Sequence, residues 1–201
     1  MCCKTAGMTE DLFVQQEKLQ LEAHAVCTDL NIDALLAEFG DPVHTGSSVL
    51  GLMVKRDVDI TVACPKLDTG AVARLGAEIA RHERIWKVQF RNDTGHWNVE
   101  PEQYPDGLYL GLGYGSAEGQ RWNFDIWFVD APARTPDLDH IKTLPPRLTP
   151  ETRRAILAVK HAWADNPAYG KTVRSYTIYS AVLDDGVRTP ADFDRWLADR
   201  G

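Results

Sequence analysis

The sequence predicts an α+β fold: a mixed β-sheet flanked by helices, followed by a C-terminal helical lobe. Three observations carry this. Strand-like runs with β-branched or aromatic residues and a period of two recur at 57–64, 85–90, 108–114 and 121–129. An amphipathic helix at 70–82 separates the first two runs. After a proline-rich stretch, everything downstream of residue 149 is helical in pattern. The 201 residues suit one domain, or one domain with a small helical appendage. A hydrophobic content of 44% with 25% charged residues excludes a disordered or collagen-like chain.

In chain order, residues 10–27 alternate charged and apolar positions with helical periodicity (Leu12, Phe13, Leu19, Leu21, Val26). A second short helix is expected from Asn31 to Phe39, stopped by Gly40. Residues 42–45 form a short strand, and Gly46-Ser47-Ser48 turns into a brief helix ending near Met53. The run Asp57–Cys64 is a strand; 70–82 is the amphipathic helix, with Val72, Leu75 and Ile79 on one face; Ile85–Phe90 is a strand. A Gly/Asn/Pro-rich loop covers 92–106, and 108–114 and 121–129 form a hairpin across 115–119. Residues 131–149 hold Pro132, Pro136, Pro145 and Pro146, with Pro150 just after, which is a linker composition. Thr149 caps and Pro150 opens a helix to about residue 165. Two more follow, at about 172–184 before Gly186, and from Thr189-Pro190 to the end. The expected division is 1–130 as the catalytic domain (1–40 being its N-terminal helices), 131–149 as a linker and 150–201 as the lobe.

Composition narrows the function classes. The net charge of -7, from 22 basic and 29 acidic residues, disfavours binding to extended nucleic acid, where counterion release rewards a basic excess. A polyanionic substrate would then need a metal ion as a bridge. No apolar run approaches a membrane span of roughly 18 residues, and Met1 to Thr5 lack an apolar signal core. Cys2, Cys3, Cys27 and Cys64 form no CxxC motif, so reduced thiols in a cytoplasm are expected. The six histidines are scattered and make no zinc motif.

The chemistry concentrates at Gly46-Ser47, three further residues, Gly51-Leu52, and then Asp57-Val58-Asp59. Carboxylates at i and i+2 of a strand share a face. At a strand end they offer a pair of oxygen ligands to a hard cation such as Mg²⁺. A glycine lets backbone approach a phosphate, and the following serine donates its amide and hydroxyl. A phosphate cradle beside a divalent-metal pair is what phosphoryl or nucleotidyl transfer requires. The bland alternative is a solvated Asp pair. A third carboxylate is found in the run 121–130, where Asp125 lies mid-strand among aromatics and needs a cation or water. Asp130, at the strand end, reads as a turn residue instead.

This pattern resembles the DNA polymerase β-type nucleotidyltransferase superfamily, whose signature is Gly-Ser, a short gap to an Asp-x-Asp strand, and a later Asp on a neighbouring strand. Asp57, Asp59 and Asp125 match its three acidic positions. Thr45 departs from the usual apolar residue before Gly-Ser, and Lys55-Arg56 stand where a serine is frequent; neither removes a ligand. In the lobe, Lys160, Gly170 and Ser175-Tyr176 are arranged similarly to terminal nucleotidyltransferases and noncanonical poly(A) polymerases. The resemblance implies a nucleotidyltransferase-type sheet, two Mg²⁺ ions (Mn²⁺ as the alternative) on Asp57, Asp59 and Asp125, and an NTP such as ATP as co-substrate. Gly46 and Ser47 would grip the β- and γ-phosphates, Lys160 and Ser175 the triphosphate from the lobe side, and Tyr176 the base. Lys171 is an alternative to Lys160, and Arg174 to either. Taken singly, Lys160 reads as solvated and Tyr176 as core.

The expected activity is metal-dependent transfer of an NMP from an NTP to an acceptor hydroxyl with release of pyrophosphate. A small-molecule acceptor is favoured, with a tRNA end or a protein side chain as the other options. The competing reading is a catalytically silent NTP-binding regulatory module of the same fold. The remaining features read as structural: His44 as a strand-end residue, Arg153-Arg154 as a solvated helix face, most of the six tryptophans as packing. The glycine-rich run 111–119 precedes a strand rather than a helix, so it fails the context of a dinucleotide or P-loop motif.

Overall fold

Period-two alternation decides which way each strand faces, and the computed structural model shows the outcome. It describes residues 4–200, with side chains from residue 12 onward, so Cys2 and Cys3 lie outside the described residues. Strands β1 (Asp41–Thr45), β2 (Asp57–Ala63), β3 (Ile85–Asp93), β4 (Gly107–Gly115) and β5 (Arg121–Val129) form one sheet in the order β1-β2-β5-β4-β3. β2 and β5 run parallel and the other pairs antiparallel, as a mixed sheet requires. The even-numbered residues of the central strands, such as Val58, Ile60, Leu110, Phe124 and Phe128, are buried. They pack under the helices α1 (Lys4–Asp29), α2 (Ile32–Ala37) and α4 (Thr69–Ile79). The odd-numbered set, which includes Asp57, Asp59 and Asp125, therefore faces the opposite side.

α4 starts where Asp68 accepts a 2.8 Å hydrogen bond from the Ala71 amide, and it buries Val72, Leu75 and Ile79 at helical spacing. At the far end of α1, Asp29 accepts from the Tyr114 hydroxyl (2.7 Å) and from Arg84 (2.9 Å), tying the helix to β4. His44 lies 2.7 Å from Asp33 and holds β1 to α2, the structural role expected of it. Cys27 and Cys64 are free and buried. Burial, helped by the charge of Asp33, pushes the Cys27 thiol up to about 12, which leaves it unreactive.

A second core belongs to the lobe. It joins α6 (Pro150–Trp163), α7 (Ser175–Leu183) and α8 (Pro190–Ala198) through Ile156, Val159, Ile178, Val182 and Phe193. Thr149 caps α6, and Thr189 with Asp192 forms a reciprocal capping box on α8. α1 serves both cores: Leu12 packs in the lobe, whereas Ala23, Val26 and Leu30 pack on the sheet.

The structure departs from the sequence reading at the proline-rich stretch and at Arg153. The proline-rich stretch expected as a linker contains α5 (Pro136–Thr143). Proline has no amide to lose at a first turn and its φ is preset, so Pro132, Pro136, Pro145 and Pro150 each open a helical turn instead of breaking one. Most of the tryptophans pack, as expected, with Trp122 buried and Trp163 and Trp196 against the lobe core, and Trp86 and Trp97 are the exposed pair, at 55% and 59%. Arg153 is not solvated. It donates to the Gly51 carbonyl (3.1 Å) and to the buried Gln16 side chain (3.2 Å), joining α6, α1 and the turn after α3 (Gly46–Leu50). Lys160 grips the next carbonyl, Leu52, at 2.7 Å. Two cations of one lobe helix thus anchor the segment that leads into β2. Among the described residues no helix is long and apolar enough to cross a membrane.

Arg153→Ala leaves two acceptors without their charged donor. Urea unfolding is expected to show a loss of roughly 1.5–3 kcal/mol. A loss below about 0.5 kcal/mol would return Arg153 to the class of surface residues.

Candidate active site

Strand register brings the three predicted carboxylates together. Asp57 and Asp59 are two residues apart on β2, and Asp59 is paired directly with Asp125 on parallel β5. One carboxylate oxygen from each lies within 4.8 Å of the others. Thr45, the last residue of β1, pairs with Asp59 from the other side. The chain then turns at Gly46 with φ 65°. A β-carbon there would collide with the Asp59 carboxylate, so both the dihedral and the space demand glycine.

Three like charges in a recess raise one another's proton affinity. Burial, and then the charge of Asp125, push Asp57 up to about 7, against the opposing pull of Lys160 and Lys55. Asp59 is raised well above the ordinary carboxylate range by burial and by Asp57, Asp125 and Asp137. Asp57 Oδ1 is shielded from solvent and accepts no hydrogen bond. A buried carboxylate oxygen without a donor is costly, and a cation relieves it. The donor set is three carboxylates with no sulfur or imidazole, which suits Mg²⁺ or Mn²⁺.

The carboxylates line a cleft of about 960 Å³, at the upper end of the roughly 300–1,000 Å³ usual for ligand sites. All eight residues singled out from sequence border it: Gly46, Ser47, Asp57, Asp59, Asp125, Lys160, Ser175 and Tyr176. Asp130 does not border it. Lys160 is only 2% exposed, neither solvated nor free, and its ammonium also meets the Tyr179 hydroxyl at 3.3 Å. Burial pulls Lys160 down to about 8, while Asp59 and Asp57 hold it up. Lys171, its sequence alternative, is exposed and outside the cleft lining. Ser175 Oγ is 2.9 Å from the Tyr169 hydroxyl. Tyr176 is not core: it is 48% exposed and stacks on His140, with ring centroids 4.2 Å apart and planes at 12°.

Several lining residues escaped the sequence reading. Lys55 places its ammonium 4.9 Å over the Tyr169 ring. Thr135 and His140 come from α5 and its entry, hidden in the proline-rich stretch. The Thr135 hydroxyl is buried without a partner. Arg91, Tyr109 and Trp127 extend the floor beyond Asp125. Period-two counting from Asp125 would have found Trp127; the others carry no motif.

No protein-family profile and no curated protein matches the chain. Solved structures do. A cytoplasmic RNA terminal U-transferase aligns over 89% of this chain and 54% of its own, with 20% identity and a TM-score of 0.57. Cid1 bound to the UTP analogue UMPNPP aligns over 90% of this chain and 54% of its own, with 18% identity and a TM-score of 0.57. The Cid1 poly(U) polymerase bound to MgGTP aligns over 88% and 55%, with 20% identity and a TM-score of 0.59. The chain spans about half the length of these structures. The likeness establishes the fold: sheet and lobe share the architecture of these nucleotidyltransferases, as the Asp-x-Asp resemblance implied.

In the metal-free protein Asp57 titrates near 7, against 3.8 for an ordinary aspartate. A folded value above the unfolded one means the fold holds the extra proton. Its stabilising contribution is complete below about pH 4 and is lost as pH rises through about 7. Asp59 acts in the same direction. Lys160 acts only between about 8 and its ordinary 10.5, above this window. With a chelator present, the melting temperature is expected to fall from about pH 5 to about pH 8, and less steeply in Asp57→Asn. Equal slopes in the two proteins would contradict this electrostatic account.

Proposed function

We propose that the protein is a metal-dependent nucleotidyltransferase that moves an NMP from an NTP to the hydroxyl of a small acceptor, releasing pyrophosphate. The observation that carries this reading is the orphaned Asp57 oxygen in a cluster of three carboxylates, one turn from Gly46-Ser47 and within one cleft. The fold it shares with terminal nucleotidyltransferases supports it. Asp57, Asp59 and Asp125 would hold Mg²⁺, or Mn²⁺ in its place. When bound, such ions neutralise the triphosphate and the charge that develops during phosphoryl displacement.

The chain's own groups divide the remaining work. Ser47 offers its amide and hydroxyl to the terminal phosphates beside Gly46. Lys160 supplies a fixed positive charge from the lobe side, and the exposed Lys55 a movable one. Ser175 opens α7, where the helix dipole favours an anion. Tyr176 offers a flat stacking face to the base, backed by His140. Thr135 has a hydroxyl still in need of a partner, which a ribose hydroxyl would supply. Asp125 takes the proton of the acceptor hydroxyl, whose oxygen attacks the α-phosphorus while the bond to the pyrophosphate oxygen breaks. The acidic chain, at -7, favours a small acceptor over a long polyanion. The free, buried Cys27 and Cys64 support a reducing, cytoplasmic setting for the reaction.

Incubation with α-labelled NTPs, Mg²⁺ and fractionated cell extract is expected to label a low-molecular-mass product and release pyrophosphate. Label confined to RNA or to protein would overturn the small-acceptor assignment. An NTP that raises the melting temperature with no pyrophosphate released from any fraction would favour a silent regulatory module. Asp59→Asn is expected to reduce transfer to background while the metal-free protein melts higher, because a repelling charge is gone. Full activity in that variant would remove Asp59 from the metal site.

A further inference from the structure

Asp125 has a partner that Asp57 lacks. The Tyr109 hydroxyl donates a hydrogen bond to Asp125 Oδ1. This contact is diagonal across the sheet, since Tyr109 is paired in register with Trp127 and the residue opposite Asp125 is Gly111. A β-carbon at 111 would stand 2.5 Å from the Tyr109 hydroxyl oxygen and 2.9 Å from its ring carbon Cζ. The missing side chain at 111 is what lets the phenol lean across to Asp125.

The ring is itself clamped. Trp127 packs against it with centroids 5.1 Å apart and planes at 50°. The Arg91 guanidinium lies 4.9 Å from the Tyr109 centroid and 5.2 Å from that of Trp127. Arg91 is paired with Tyr109 in the β3–β4 register, and its Nε donates to both carboxylate oxygens of Asp93 at 2.9 Å. Asp93, Arg91, Tyr109 and Asp125 thus form one braced line across three strands, ending on the third carboxylate. All four border the cleft.

We propose that Tyr109 is a positioning residue for Asp125, made possible by Gly111 and braced by Arg91 and Trp127. It occupies one carboxylate oxygen and so turns the other toward Asp57, Asp59 and the acceptor. This rests on the nucleotidyl-transfer reading above. Gly46 and Ser47 leave from β1, on the far side of β2 from Tyr109, so with the metal saturating the effect falls on turnover and not on nucleotide affinity.

The test compares wild type, Tyr109→Phe, Gly111→Ala and the double variant, each checked for an unchanged melting profile. Three quantities are read: kcat, KM for the NTP, and Mn²⁺ affinity by electron paramagnetic resonance. Tyr109→Phe is expected to lower kcat about 10- to 100-fold, the worth of one hydrogen bond to a charged group, with KM held within about twofold. Its Mn²⁺ affinity should fall severalfold. Gly111→Ala should reproduce both changes by pushing the phenol aside, and should add nothing in the Tyr109→Phe background. Wild-type kcat together with wild-type Mn²⁺ affinity in Tyr109→Phe would overturn the inference, as would a rise in KM matching the loss in kcat. A wild type that transfers nothing, yet loses Mn²⁺ affinity on Tyr109→Phe, would overturn the nucleotidyl-transfer reading and leave the positioning role standing.

Discussion

Three carboxylates that repel one another are held on one face of a sheet, and the rest of the structure is arranged around that repulsion. Backbone pairing between β2 and β5 sets Asp59 beside Asp125, and the pleat sets Asp57 on the same side. Ladder hydrogen bonds and the buried even-numbered residues of these strands hold the register. A one-residue slip would exchange the carboxylates for Val58, Ile60 and Phe124, so the register cannot drift without exposing the core. The cluster is therefore set by the sheet itself, and protons taken up by Asp57 and Asp59 relieve its repulsion.

The lobe contributes more than a second wall. Arg153 and Lys160 of α6 hold successive carbonyls at Gly51 and Leu52, so the turn after Gly46-Ser47 is fixed from the lobe side. Lys160 also has the field of Asp57 and Asp59 as a reason to remain charged despite burial. The stack of His140 on Tyr176 closes the same cleft between α5 and α7. Anchoring, charge and stacking surface all arise from side chains at the junction of the two cores.

The acidic constellation was legible because each of its parts has a local signal. Asp-x-Asp on a β-branched strand, glycine before serine at a turn, and an aspartate amid aromatics each break an ordinary pattern. The lobe residues were legible only through resemblance, since a lone lysine or tyrosine on a helix reads as surface or core. What stayed hidden depends on tertiary contact. Arg153 resembles any helix-face arginine until Gly51 and Gln16 are seen beneath it. Prolines hid α5, because proline at a first helical turn and proline in a linker look alike in composition. Tyr109 sits in a run of glycines and apolar residues, and its link to Asp125 follows only once β4 and β5 are in register and Gly111 is seen to leave the gap.

The central claim is that Asp57, Asp59 and Asp125 form one divalent-cation site in front of a nucleotide. Its most direct test is a crystal grown with Mn²⁺ and a non-hydrolysable NTP analogue, examined by anomalous diffraction. The account predicts at least one manganese peak bounded by oxygens of all three aspartates, with the analogue's phosphates completing the shell. Manganese elsewhere, or a bound analogue with Asp125 turned away and no metal among the three carboxylates, would contradict it.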